Sequence, residues 1–265
     1  MKPPFFTFVL SLAALPVLAT AQDGTGSPAG IPAAAPKAEE DPSLDKLKSL
    51  KPEQVEKIKK AINEASSFVG GIRLQEALQR LAEAEAIEPD LFMVHNLKGA
   101  VFTKMRLFDP ARESFKKARQ LNPGSFHPKF NLAEIDFVEA ASKARAGDET
   151  GAATQFATAQ KQFEALVAGN ADEGTRKLMQ FKIVICQLKQ GQVGEAEKSV
   201  KGFSYIDDEP VYYMGHAAIE FHKGDKAEAQ TWIDSANNIW RTAPQSVTIY
   251  MDSFIEVGWV ETLAL

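Results

Sequence analysis

Phe92–Pro123 reads FMVHNLKGAVFTKMRLFDPARESFKKARQLNP, and it sets the grammar of the chain. Small residues stand at Gly99, Ala111 and Ala118, large ones at Phe102, Phe108 and Phe115, and Pro123 closes the stretch. The same order returns 34 residues earlier, with Ala65 for Gly99, Phe68 for Phe102, Ala77 for Ala111, Leu81 for Phe115, Ala84 for Ala118 and Pro89 for Pro123. The spacing of small and large positions is helical. A small residue on each of two successive helices lets their backbones approach, and a proline cannot continue the second helix.

Six matched positions at this offset resemble the tetratricopeptide repeat (TPR) family, whose repeats are helix–turn–helix units of about 34 residues. One departure is local: Lys98 precedes the small residue where the family usually has leucine, and Leu97 stands one place earlier. The resemblance implies an all-α solenoid. One hairpin cannot bury its apolar face alone, so about three or more must stack.

Around that stretch, Pro52 suits a first helical turn, and Val55, Ile58, Ala61, Ile62 and Ala65 recur at helical spacing to about Val69. Gly70-Gly71 breaks this helix, with no strand before it and no phosphate-loop pattern after it. A second helix follows over Leu74–Ile87. After Pro123, Phe126, Leu132 and Ala133 begin a third repeat that runs about 14 residues long before Phe163. Ala152, Phe156, Ala159 and Phe163 keep helical spacing and Gly147-Asp148 is turn-like, so both helices of this hairpin are expected to be about two turns longer than usual. In repeat four, Ile183 and Val184 fall on helix A, and Gly191, Val193 and Ala196 mark the turn and helix B. Repeat five follows at 33 residues, with Gly224 for Gly191, Ala229 for Ala196, and Ala217 and Ala236 in place. The repeats are expected at 52–91, 92–125, 126–172, 173–209 and 210–242, with a capping helix and tail at 244–265. Asp207-Asp208-Glu209 between repeats four and five lacks the alternating spacing of a calcium loop and reads as a solvated, helix-starting turn. Val247, Tyr250, Met251 and Phe254 line one face of the last helix; Trp259, Val260, Leu263 and Leu265 continue the apolar run. This tail either folds back on repeat five or offers an apolar patch elsewhere.

The chain has 265 residues, 45% hydrophobic and 25% charged, with a net charge of −5. No basic stripe suits a nucleic-acid partner. The single cysteine, Cys186, excludes an intramolecular disulfide and a cysteine-based zinc cluster, and its apolar surroundings IVICQL read as core. Met1–Ala21 has a lysine start, an apolar run over Phe5–Leu18 and the small-x-small site Ala19-Thr20-Ala21. It reads as a signal peptide cleaved after Ala21, with an uncleaved anchor as the alternative; cleavage is expected to send the protein to the periplasm or outside the cell without stable membrane insertion. Losing its one lysine makes the remainder one unit more negative. Residues 22–41, rich in Gly, Ala, Pro and Ser, read as a flexible linker.

No chemistry-bearing pattern stands out, and no cofactor or metal is expected. His95, His127, His216 and His222 show neither a helical metal pair nor HExxH, and there is no GxSxG or SxxK. The TPR resemblance implies instead a groove lined by helix A residues. By position these are Asn96, Ala100, Thr103 and Lys104 in repeat two, and His127, Phe130, Asn131, Glu134 and Phe137 in repeat three. Phe181, Lys182, Ile185 and Lys189 follow in repeat four, and Met214, Ala218, Phe221 and His222 in repeat five. This mixture suits a protein or peptide partner with apolar anchors and an acidic group. The leading expectation is a non-enzymatic scaffold for protein–protein interaction in the cell envelope. The alternatives are a structural protein that self-assembles through its apolar tail, and a hydrolase with a site spanning repeats.

Overall fold

The computed structural model describes residues 41–169, 171–206 and 209–261. The signal-peptide expectation, residues 22–40 of the linker, Asp207-Asp208 of the acidic turn and the tail residues Leu263 and Leu265 lie outside them. A 3-10 helix, Pro42–Ser49, precedes α1 (Pro52–Gly70), α2 (Leu74–Ile87), α3 (Phe92–Lys104), α4 (Phe108–Leu121), α5 (His127–Arg145) and α6 (Glu149–Val167). Then come α7 (Glu173–Lys189), α8 (Val193–Lys201), α9 (Val211–Lys223), α10 (Lys226–Ile239) and α11 (Gln245–Glu256). No strand occurs among the described residues. Odd and even helices pair as hairpins from α1·α2 to α9·α10, and the odd helices α1/α3, α3/α5 and α7/α9 also touch. This is an α-solenoid of TPR-like hairpins, with the odd helices forming one face.

Each hairpin turn closes in the same way. The amide one residue into the new segment bonds back to a carbonyl five residues earlier, as in Arg73 to Phe68, Leu107 to Phe102, Asp148 to Lys143, Gln192 to Gln187 and Asp225 to Glu220, at 2.8–3.0 Å. This is the Schellman end of a helix, and it needs a residue with positive φ just before the donor. Gly147, Gly191 and Gly224 take that position in the last three hairpins, at φ of 84°, 75° and 87°. In the first two, Ile72 and Arg106 adopt it at φ of 59° and 60°, against the preference of a residue that carries a Cβ. After Gly147 and Gly224, Asp148 and Asp225 accept the N3 amides of α6 and α10, so a Gly-Asp pair ends one helix and caps the next.

Seven residues before each positive-φ position stand Ala65, Gly99, Ala140, Val184 and Ala217, all fully or nearly fully buried. A Cβ on Gly99 would come within 2.6 Å of the Phe115 ring of α4, which shows how closely the paired backbones lie. In the third hairpin α5 and α6 are both 19 residues, against 13 and 14 in α3 and α4. The extension is five or six residues per helix, roughly 8–9 Å at about 1.5 Å per residue.

The apolar interior falls into two parts that meet at α5. Leu132 and Ile135 pack toward the first two hairpins, whereas Phe130, Ala133 and Phe137 pack toward the later ones. Polar links cross this seam: Asn131 Nδ2 donates to Asn96 Oδ1 at 3.2 Å, and Arg112 of α4 pairs with Asp136 and Glu139 of α5. Asp136 is 3% exposed, and it also accepts from Gln155 and Gln162 of α6. A buried carboxylate is tolerated when its lone pairs are satisfied in this way.

α11 ends as the odd helices do. Gly258 has φ of 76°, Trp259 N donates to Phe254 O at 2.9 Å, and Gly258 stands 34 residues after Gly224. The chain thus begins a sixth helix A. The residue seven places before Gly258 is Met251, whose partly buried side chain packs against the later apolar core.

Three substitutions test the turn and approach rules. Gly99→Ala is expected to lower stability by about 1–3 kcal/mol through overpacking against Phe115, whereas Gly194→Ala in α8, where an added Cβ meets nothing within 4 Å, is expected to gain up to about 1 kcal/mol. Ile72→Gly, at an exposed position, relieves the positive-φ cost of about 1–2 kcal/mol less the added freedom of glycine, for a net gain of up to about 1 kcal/mol. Urea midpoints of the full chain give the signs.

Candidate functional site: the odd-helix face

The face formed by α3, α5, α7 and α9 carries a helix of the same chain. α11 packs on α7 and α9. Tyr250 and Phe254, one turn apart on its inner side, meet Phe181 of α7 edge-on at centroid distances of 5.1 and 5.4 Å. Phe254 also meets Phe221 of α9 at 5.0 Å, and Trp259 stacks on Phe221 at 5.9 Å. Val247, Tyr250 and Phe254 are at most 1% exposed. Burial raises the pKa of the Tyr250 phenol, and the nearby Glu209 carboxylate raises it further, so the phenol stays neutral.

The charged contacts lie at the C-terminal end of α11, between Phe254 and Trp259 in sequence. Glu256, 3% exposed, receives both guanidinium nitrogens of Arg106 at 2.7 and 3.0 Å, and Arg145 at 3.0 Å. Arg106 comes from the α3–α4 turn and Arg145 from the end of α5, so this carboxylate ties α11 to the second and third hairpins. A forked arginine–carboxylate pair is among the stronger charge-assisted contacts. Lys189 donates to Val257 O at 3.2 Å and lies 4.7 Å from the Trp259 ring centroid. Cations near the C-terminal carbonyls complement the helix dipole, and α11 has no basic residue of its own in its last turn.

At the centre, Lys182 of α7 donates to Ser253 Oγ at 3.1 Å, pairs with Glu134 of α5 at 3.1 Å, and sits 4.6 Å above the Phe137 ring. Both charges are nearly buried, at 6% and 9% exposure. Burial raises the Glu134 pKa and outweighs the opposing pull of Lys182. Lys104, at the rim, has its pKa lowered by desolvation, with Asp252 of α11 acting in the opposite direction. An α11 of 12 residues spans about 18 Å. It touches groups from four hairpins, as a helix seated in a concave odd-helix face does.

The residues expected to line a groove are divided by this arrangement. Lys104, Phe181, Lys182, Lys189 and Phe221 meet α11 or its following turn, and Glu134 meets them through Lys182. Phe130 and Phe137 pack inside the third hairpin against Phe163 of α6, Phe130 also stacking on Phe126 and Phe137 meeting Phe156. Ile185, Met214, Ala100 and Ala218 are buried core. Thr103 donates back to Gly99 O at 2.9 Å, and Asn96 and Asn131 pair with each other. His127 stands at the start of α5 edge-on to Phe126, and His222 is exposed near the end of α9. Arg106, Arg145 and Glu256 are the functional candidates that the sequence reading missed. The signals that could have found them are an arginine in the turn position that glycine takes elsewhere, and the 34-residue step from Gly224 to Gly258.

Among the described residues, no group of three His, Cys, Asp or Glu side chains is placed to share a metal, and no helix is long and apolar enough to cross a membrane. Cys186 is fully buried, and burial raises its thiol pKa.

No family model matches the chain, and none of the curated proteins matches it. Among solved structures it is similar to YrrB, described as a TPR protein with an unusual peptide-binding site. The identity is 14%, the TM-score 0.42, and the alignment covers 72% of this chain and 88% of YrrB.

Removing the clamp should loosen α11 selectively. Glu256→Ala takes the carboxylate away from two arginines; because their side chains are 29% and 38% exposed, the cost is expected at about 1–2 kcal/mol rather than the 3–5 kcal/mol of a fully buried pair. Glu256→Gln is expected to cost less. Hydrogen exchange should accelerate over 245–256 and stay unchanged over α1–α2.

Proposed function

We propose that this chain is a non-enzymatic protein-interaction scaffold, exported to the cell envelope, that takes a segment of a partner protein on its concave odd-helix face. One observation carries the reading: this face already holds a helix, using aromatic contacts along its middle and last turn and a two-arginine clamp on its last residue. Aromatic and arginine side chains are the usual anchors of protein interfaces. The residues proposed to contact the partner are Lys104, Glu134, Phe181, Lys182, Lys189 and Phe221, with Arg106 and Arg145 added. Self-assembly through the apolar tail has less surface to draw on, because Val257 is 7% exposed and Trp259 stacks on Phe221.

Export rests on Met1–Ala21, with its lysine start, apolar run and Ala-Thr-Ala site. Intact-mass measurement of the protein from the envelope fraction is expected to give a chain beginning at Gln22, and lysine cross-linking in the native envelope is expected to recover a specific protein. A full-length chain confined to the cytosol would refute the export proposal, and absence of any specific cross-linked protein would refute the scaffold.

A further inference from the structure

α11 has the position and the contacts of a ligand. By spacing it stands where a sixth helix A would begin, yet it lies across the odd-helix face on α7 and α9. Its N-terminus lacks a side-chain cap, and the cations at its C-terminus come from other hairpins. A helix of about three turns is marginal in water without such support. Buried polar groups run through its contact with the solenoid: Lys182 to Ser253, and Glu256 to Arg106 and Arg145. Such contacts impose geometry more than they add stability.

We propose that the concave face is a receptor for an amphipathic helix bearing two aromatic residues four apart and a carboxylate two residues beyond the second. α11, with Tyr250, Phe254 and Glu256, is its resident occupant, and a partner helix of this pattern enters by displacing it. The cationic rim made by Arg106, Arg145 and Lys189 complements the carboxylate and the helix C-terminus of such a partner. The inference rests on the scaffold reading and names the partner's chemistry. It also makes binding conditional: while α11 is seated, an external helix meets only the fraction of molecules in which the face is open.

The probe is a fluorescein-labelled peptide of residues 244–261, titrated by anisotropy onto the full chain. Glu256→Ala, which weakens the resident helix and leaves the face intact, is expected to bind the peptide at least ten-fold more tightly than the unaltered chain does. A peptide carrying Glu256→Ala should lose at least ten-fold on the same variant. The chain with Arg106→Ala and Arg145→Ala, which loosens α11 but lacks the clamp, should show no gain. Should Glu256→Ala lose its helical circular dichroism, Glu256→Gln replaces it in the same comparison. Equal binding to the unaltered and weakened chains, or no binding to a folded variant, overturns the proposal. So does a Glu256→Ala dimer that exchanges α11 and excludes the peptide, because the occupant is then a second copy. A photo-cross-linker replacing Lys104 separates this inference from the scaffold reading: partners recovered by general lysine cross-linking but never from that position leave the scaffold standing and overturn the receptor. Tight peptide binding without any envelope partner does the reverse.

Discussion

Close approach of paired backbones is the constraint from which the rest follows. In each of the first three hairpins and in the fifth, an alanine or glycine sits seven residues before the left-handed turn, and the facing helix packs over it, as Phe115 does over Gly99. Interiors are close-packed, so a few added atoms at such a position change the geometry. α11, where Met251 stands at the equivalent position, turns its inner face onto the odd helices instead. Phe181 and Phe221 on the odd-helix face supply the apolar surface.

Apolar contact alone would let α11 slide or rotate along that face. The buried charges remove this freedom. The Arg106 fork accepts Glu256 in one orientation, Arg145 adds a second direction, and Lys182 bridges Glu134 of α5 and Ser253 of α11. Desolvating these groups offsets much of their Coulombic gain, so the clamp adds position more than stability. A fold-stabilising cap would be expected to use apolar residues at those sites. The expensive alternative is consistent with a surface selected to tell one helix from another.

The stacked hairpins were legible because their rule is local: a small residue, a turn and a proline recur in step from Ala65 to Ala236. The long third hairpin was legible for the same reason, since Phe156, Ala159 and Phe163 kept helical spacing after Gly147. What covers the concave face was not. Glu256 and Arg106 stand 150 residues apart and no periodicity links them. Position in the repeat also could not separate Phe130 and Phe137, which pack into their own hairpin, from Phe181, which faces α11. Residues on neighbouring stripes of one helix differ by a fraction of a turn, and tertiary packing decides which way each points.

Arg106 joins these levels. In the last three hairpins the left-handed turn position is glycine, which costs nothing sterically. Arginine there costs on the order of 1–2 kcal/mol, and the turn geometry is the same, with its closing bond at 2.9 Å. Glycine would give a better turn but no guanidinium. The strained residue places a charge at the mouth of the concave face, where it meets the carboxylate of the resident helix. Ile72, at the equivalent place one repeat earlier, is 50% exposed and carries no charge. The two share a backbone and differ in what the side chain can touch, and only the arginine couples a local conformational cost to the recognition of a helix.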